Sequence, residues 1–192
     1  MNEQRSMIKA KSTFYKNIRF RSRLEAKWAI FFDEMNIRYT YEPGIYKVSI
    51  NGYFMKYQPD FALLNVKTQQ EIQQPIYVEV KGANHYRDIY ENDRKILESF
   101  GSSNSLLVLG SFPVNLDYLF QEPDHISNFF MINGQDMPCF FCNYNGEPWL
   151  VDKYRALADR KKTNDALWMA CNACFEDAND DEDLWTNNLS PL

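Results

Sequence analysis

Asp60, Glu79 and Lys81 are the residues of this chain best suited to chemistry. Asp60 closes the string Tyr57-Gln58-Pro59-Asp60, and Glu79-Val80-Lys81 lies inside Tyr77–Gly82. Two carboxylates and one ammonium brought together could hold a divalent cation and a water beside a phosphodiester. Ile76, Val78 and Val80 alternate with Tyr77, Glu79 and Lys81. That period of two predicts a strand with one apolar face and one chemical face, whereas a helix would scatter the same residues. Neither carboxylate is expected to be a core residue.

Other elements must bring Asp60 to that strand. A helix is expected from Ser22, where Ser22 and Glu25 have capping-box spacing and Leu24, Trp28, Phe31 and Met35 form an apolar stripe. An extended segment, Arg38–Glu42, stops at Pro43-Gly44. Ile45–Ile50 and Tyr53–Tyr57 flank Asn51-Gly52, a two-residue hairpin signal. Phe61–Leu64 continues the sheet. After the Glu79 strand, Tyr86–Phe100 reads as a helix with Ile89, Asp93, Leu97 and Phe100 on one line, closed by Gly101. Ser105–Leu109 is a short apolar strand. The expected order is helix, three strands, helix, strand, an α/β arrangement. Residues 1–20 read as a polar, basic arm with scattered apolar anchors. Residues 111–150 carry mixed signals, a long helix is expected over about 152–177, and the Asp/Asn-rich stretch 179–192 reads as disordered.

The chain of 192 residues is acidic overall, with a net charge of −5. Its charge is unevenly placed. Residues 1–30 hold eight Lys/Arg against two acids, while residues 171–192 hold six acids and no Lys/Arg. Such ends can coexist because charges further apart than a Debye length of ~8–10 Å are largely screened. The basic front end fits a phosphate-binding arm, and a solvated charged face is its bland alternative. No apolar run is long enough to cross a bilayer. The opening Met-Asn-Glu-Gln-Arg-Ser has no apolar signal region, so the expected location is the cytoplasm and the thiols are expected to be reduced.

Four segments in order resemble the PD-(D/E)XK nuclease superfamily, and most closely its small phage-type members: Phe20-Arg21-Ser22-Arg23-Leu24-Glu25-Ala26-Lys27-Trp28, Tyr41-Glu42-Pro43, Pro59-Asp60-Phe61 and Glu79-Val80-Lys81-Gly82. The resemblance spans about residues 14–110 and implies a restriction-endonuclease-like core around a mixed sheet. It implies that Asp60, Glu79 and the Val80 carbonyl bind Mg²⁺ or Mn²⁺, and that a first-helix acid, here Glu25, is also directed at the metal. Lys81 would orient a water or offset charge on the phosphate. Lys9, Lys11, Arg21 and Arg23 are the candidate nucleic-acid contacts. Glu42 could line the site or merely end its strand, and His85 could touch substrate or simply be an exposed loop residue.

Cys139-x₂-Cys142 and Cys171-x₂-Cys174 use every cysteine in the chain. Two such pairs can make a structural tetrahedral Zn²⁺ site, a turn pair joined to an i, i+3 pair on a helix. Four buried cysteines are the alternative. The expected organisation is a nuclease core over 1–110 with its basic arm, a zinc-stapled helical appendage over 111–178, and an acidic tail over 179–192. The expected function is metal-dependent hydrolysis of DNA. Rivals are a nuclease-like fold that binds without cutting, and an interaction protein whose acidic tail mimics nucleic acid. A homodimer or a protein partner held through that tail is compatible with the same sequence.

Overall fold

The computed structural model describes residues 11–69, 72, 75–113, 115–121, 125–126, 129–132, 135–156 and 160–175. Lys9 and the acidic stretch 179–192 lie outside these residues. The basic arm is not wholly irregular: β1 (Thr13–Tyr15) and β2 (Ile18–Phe20) form a small hairpin. It turns at Lys16 and Asn17, both with positive φ (47° and 63°).

Helix α1 (Arg23–Glu34) starts and stops on local chemistry. Ser22 is its N-cap, and the Ser22 Oγ accepts the Glu25 N–H at 3.1 Å. The C-terminal end closes through Asn36, which has φ 58°. Asn36 N–H donates to Asp33 O at 3.0 Å and Ile37 N–H to Phe32 O at 2.8 Å, which satisfies carbonyls that the helix leaves open. Of the predicted stripe, Trp28, Phe31 and Met35 are buried and Leu24 is half-buried, while Phe32, outside that stripe, is buried as well.

The central sheet has six strands in the order β11-β10-β9-β8-β6-β3. These are β3 (Tyr39–Tyr41), β6 (Phe61–Leu63), β8 (Ile76–Val80), β9 (Leu106–Leu109), β10 (Phe129–Ile132) and β11 (Gln135–Pro138). Only β8 and β9 run parallel; the other neighbours are antiparallel. The molecule is thus mixed α/β with a mixed sheet. Side-chain alternation splits its core in two. Ile76, Val78, Leu107 and Leu109 face α1. On the other face Leu106 and Val108 meet α2 (Glu91–Gly101) and the hairpin of β4 (Tyr46–Ile50) and β5 (Tyr53–Tyr57). That hairpin turns at Asn51 and Gly52, with φ 51° and 82°, as its sequence signal requires. Helix α2 starts later than periodicity predicts. Residues 86–88 form a single 3₁₀ turn instead, and Ile89 is buried ahead of the helix.

Among the described residues, the mixed stretch 111–150 and the long helix expected over about 152–177 resolve into shorter elements. They contribute β10 and β11 to the central sheet, then β12 (Phe140–Tyr144) and β13 (Glu147–Val151). These last two form a second sheet with β7 (Lys67–Thr68), which runs parallel to β13. Short helices α3 (Leu116–Gln121) and α4 (Lys153–Ala156) precede α5 (Arg160–Cys171), which packs on α1. Ala166, Leu167 and Ala170 of α5 share one core with Phe31 and Phe32 of α1 and with Phe141. The described residues of the hard-to-read stretch 111–150 hold four short strands and one short helix, runs too short to carry a long periodicity. Among the described residues no helix is long and apolar enough to cross a membrane.

Candidate active site

Asp60 sits where β6 begins. Its N–H donates to Val78 O at 2.9 Å, and its Oδ2 accepts the Val80 N–H at 2.7 Å. The preceding Pro59 has no N–H to give a ladder. The Asp60 carboxylate therefore acts as a rung where the backbone pairing ends. Asp60 is 2% exposed and Glu79 is 8% exposed, so both carboxylates are core residues, contrary to expectation. Glu79 lies on the side of the sheet that meets α2 and the β4–β5 hairpin, while Asp60 is held between Arg21 and the end of β8.

Each carboxylate is held by specific donors. Tyr57 Oη donates to Glu79 Oε2 at 2.9 Å, and Lys81 Nζ reaches Glu79 Oε1 at 2.9 Å. Lys81 Nζ also pairs with Asp93 Oδ2 of α2 at 3.2 Å. The Arg21 guanidinium pairs with Asp60 Oδ1 and places its Nε 3.1 Å from Glu42 Oε1. Glu25 accepts Ser22 Oγ–H at 2.8 Å on Oε1, and Tyr41 Oη–H at 2.6 Å and the Arg21 N–H at 3.2 Å on Oε2. Glu42 has a positive φ of 48°, and its N–H donates to Asp60 O at 2.8 Å. A backbone strained in this way beside a charge cluster is typical of a functional site.

The electrostatics follow from this crowding. Burial, then the nearby Glu79 and Glu25 charges, push the Asp60 carboxyl up to about 8, against the pull of the Val80 N–H and Arg21. Tyr57 is raised well above a free phenol by burial and by Glu79, so it stays a hydrogen-bond donor. For Lys81, burial opposes the charged form, but Glu79 and Asp93 outweigh it and the ammonium is favoured.

No family model, no curated protein and no solved structure matches the chain.

The structure brings together Asp60, Glu79, Lys81 and Glu25, as the sequence predicts. It assigns some of them other tasks. Both Glu25 oxygens are taken up by cap, backbone and tyrosine donors, which makes Glu25 a helix cap first. The Arg21 head is spent on Asp60 and Glu42, where a phosphate contact was expected. Arg23 and Lys11 are exposed. His85 pairs as an isolated β-bridge with His125. Tyr41, Tyr57 and Asp93 are site residues that the motifs did not single out. Two of the three stood inside the quoted strings, Tyr41 beside Glu42 and Tyr57 three residues before Asp60. Asp93, which periodicity puts on the apolar line of α2, meets Lys81 instead.

Among the described residues no three His, Cys, Asp or Glu side chains are grouped ready to hold a metal. For the Asp60–Glu79 pair the donor set still fits a hard divalent cation. The oxygens are carboxylates with lone pairs left after the bonds above, and their mutual repulsion leaves buried negative charge to neutralise. For zinc the cysteines do not fit. Cys139 precedes β12 and Cys142 lies within it. Both are buried in the core, and burial pushes the Cys139 thiol up, away from a thiolate. Cys171 ends α5 and donates to Pro113 O at 3.7 Å, while Cys174 lies exposed beyond the helix. The expected zinc staple is replaced by apolar packing of α5 on α1, and none of the four cysteines forms a disulfide.

Proposed function

We propose that this chain is a divalent-metal-dependent nuclease of the PD-(D/E)XK kind that hydrolyses phosphodiester bonds of DNA. One observation carries the reading: two buried carboxylates, Asp60 and Glu79, share a site with an ammonium, Lys81, held between Glu79 and Asp93. A protein gains no stability from burying two acids together, since desolvation and repulsion oppose it. Such a cost is commonly met where chemistry needs it. The element order of α1, β3, the hairpin, β6, β8, α2 and β9 accords with the restriction-endonuclease-like core that the resemblance implies.

Asp60 and Glu79, with the Val80 carbonyl, are the residues that would hold Mg²⁺ or Mn²⁺. When bound, such a cation polarises a phosphate and lowers the pKa of a water. The chain's own groups do the rest. Tyr57 keeps the Glu79 carboxylate in one orientation through its Oη–H. Lys81 presents a charged Nζ that can orient a water or meet charge growing on phosphate oxygens. Asp93 holds that ammonium in place. Arg21 places a cation beside Asp60, favouring its ionised form against the burial and the Glu79 and Glu25 charges that oppose it.

The Arg21–Asp60 pair favours a second reading, a nuclease-like fold that binds nucleic acid without cutting. Supercoiled plasmid and single-stranded DNA incubated with the chain and Mg²⁺ or Mn²⁺ separate the two. Nicking that EDTA stops and that Glu79→Gln removes supports the enzyme. Binding without cutting by the wild type, in either metal, leaves the binding module.

A further inference from the structure

We propose that the outward face of the β4–β5 hairpin docks nucleic acid, with Lys47 and Lys56 taking backbone phosphates and Phe54 packing on the sugar–base edge. The identity of the partner rests on the nuclease reading above. The surface itself rests on separate observations.

The hairpin register fixes two faces. Tyr46, Val48 and Tyr57 lie on the inner one and pack on Phe100 and Leu97 of α2. Tyr46 and Tyr77 join their hydroxyls at 2.9 Å, and Ser99 Oγ–H donates to Ser49 O at 2.8 Å. The hairpin is thus a braced wall. Tyr57, its last residue, holds Glu79, and Asp60 follows three residues later.

The outer face carries Lys47, Ser49, Phe54 and Lys56, all exposed. Lys47 and Lys56 are directly opposite one another across the strand pair. Like charges in that position destabilise a hairpin. Neither lysine forms an ion pair with a described residue. Lys47 instead lies 3.7 Å from the centre of the Phe54 ring, which is 66% exposed. The fold therefore tolerates repulsion and an uncovered aromatic on the hairpin whose Tyr57 holds Glu79. An anionic polymer resolves both. Phosphates relieve the repulsion, and an aromatic beside cations matches how single- and double-stranded backbones are gripped. A two-stranded ribbon also fits the major groove, about 12 Å wide. Lys56 and Phe54 stand about 7 Å apart along β5, so contacts extend away from the reacting end.

The test uses the full chain, a fluorescein-labelled mixed-sequence duplex and fluorescence anisotropy in EDTA across a salt series. Lys56→Glu should leave the melting temperature equal or higher, because it places opposite charges across the pair. The same change should weaken duplex binding about tenfold. It should lower the slope of log affinity against log salt by about 1–2, at roughly 0.9 per phosphate contact. Phe54→Ala should weaken binding with the slope unchanged. Unchanged affinity and slope in Lys56→Glu overturn the proposal, as does hairpin-dependent binding to anionic lipid vesicles in place of duplex. Cleavage by the wild type alongside unchanged Lys56→Glu binding overturns this surface and spares the nuclease reading. Hairpin-dependent binding with no cleavage in Mn²⁺ does the reverse. No duplex binding and no cleavage by the wild type sink both.

Discussion

At the level of single residues, the buried acid Asp60 has a consequence for pH. Its folded-state value, about 8, lies above its ordinary value of 3.8. A carboxyl raised in this way contributes stability that is fully present below the unfolded pKa and lost as pH rises through the folded one. Stability should fall between about pH 4 and pH 8, by on the order of 1–3 kcal/mol once screening is allowed for. Asp60→Asn should flatten that decline while abolishing cleavage; urea midpoints across pH are the measurement, and parallel curves for both proteins would refute it. Lys81 yields a different expectation, because an ammonium cannot ligate a cation. Lys81→Ala should keep Mn²⁺ affinity by calorimetry and lose a hundredfold or more in cleavage rate, the scale of one preorganised donor at ~3–4 kcal/mol. Asp93→Asn should show a smaller loss in the same direction. Asp60, Glu79 and Lys81 were legible because their strand alternates strictly and their spacing is chemical. Asp93 was not legible as a partner, since its meeting with Lys81 depends on how α2 lies across the sheet. Nor was the burial of Asp60, which depends on elements that are distant in sequence.

At the level of elements, the capped start of α1, the Asn51-Gly52 turn and the strand of Glu79 follow from local chemistry and were readable. Periodicity puts the start of α2 too early because the 3₁₀ turn at 86–88 continues a helical spacing without continuing the helix. One glycine exposes how tightly the end of β9 is fitted. A Cβ on Gly110 would meet the Ala83 carbonyl oxygen at 2.3 Å and Ile126 at 3.0 Å. The Gly110 carbonyl accepts the buried Trp28 Nε1–H at 3.1 Å. Gly110→Ala should therefore cost about 2–4 kcal/mol, well beyond an ordinary substitution. A melting temperature within about 2 °C of the wild type would show that the backbone gives way there instead.

At the level of the whole molecule, the cysteines show the limit of spacing as a guide. Two Cys-x₂-Cys pairs look alike in sequence, yet one is buried where β12 begins and the other runs off a helix end. Iodoacetamide applied to the native protein should label Cys174 first and Cys139 last, read by mass spectrometry, with no stoichiometric zinc by elemental analysis. Uniform protection of all four, relieved by a chelator, would contradict this. The split at residue 110 was read from a motif that ends there, but the core does not end there. Phe140, Phe141, Leu150 and Ala166 share a cluster with α1 and β8. A fragment of residues 1–110 should lack cooperative thermal unfolding by circular dichroism; a sharp melt near that of the full chain would refute this. The Lys27 ammonium donates to the Cys171 carbonyl at 3.2 Å, across 144 residues. During synthesis, then, the part of α1 on which α5 packs leaves the ribosome more than a hundred residues before α5 does. At 5–20 residues per second that gap is on the order of ten seconds. For that interval the nascent chain is a client for whatever shields greasy helices, and the rate of translation sets how long it must wait.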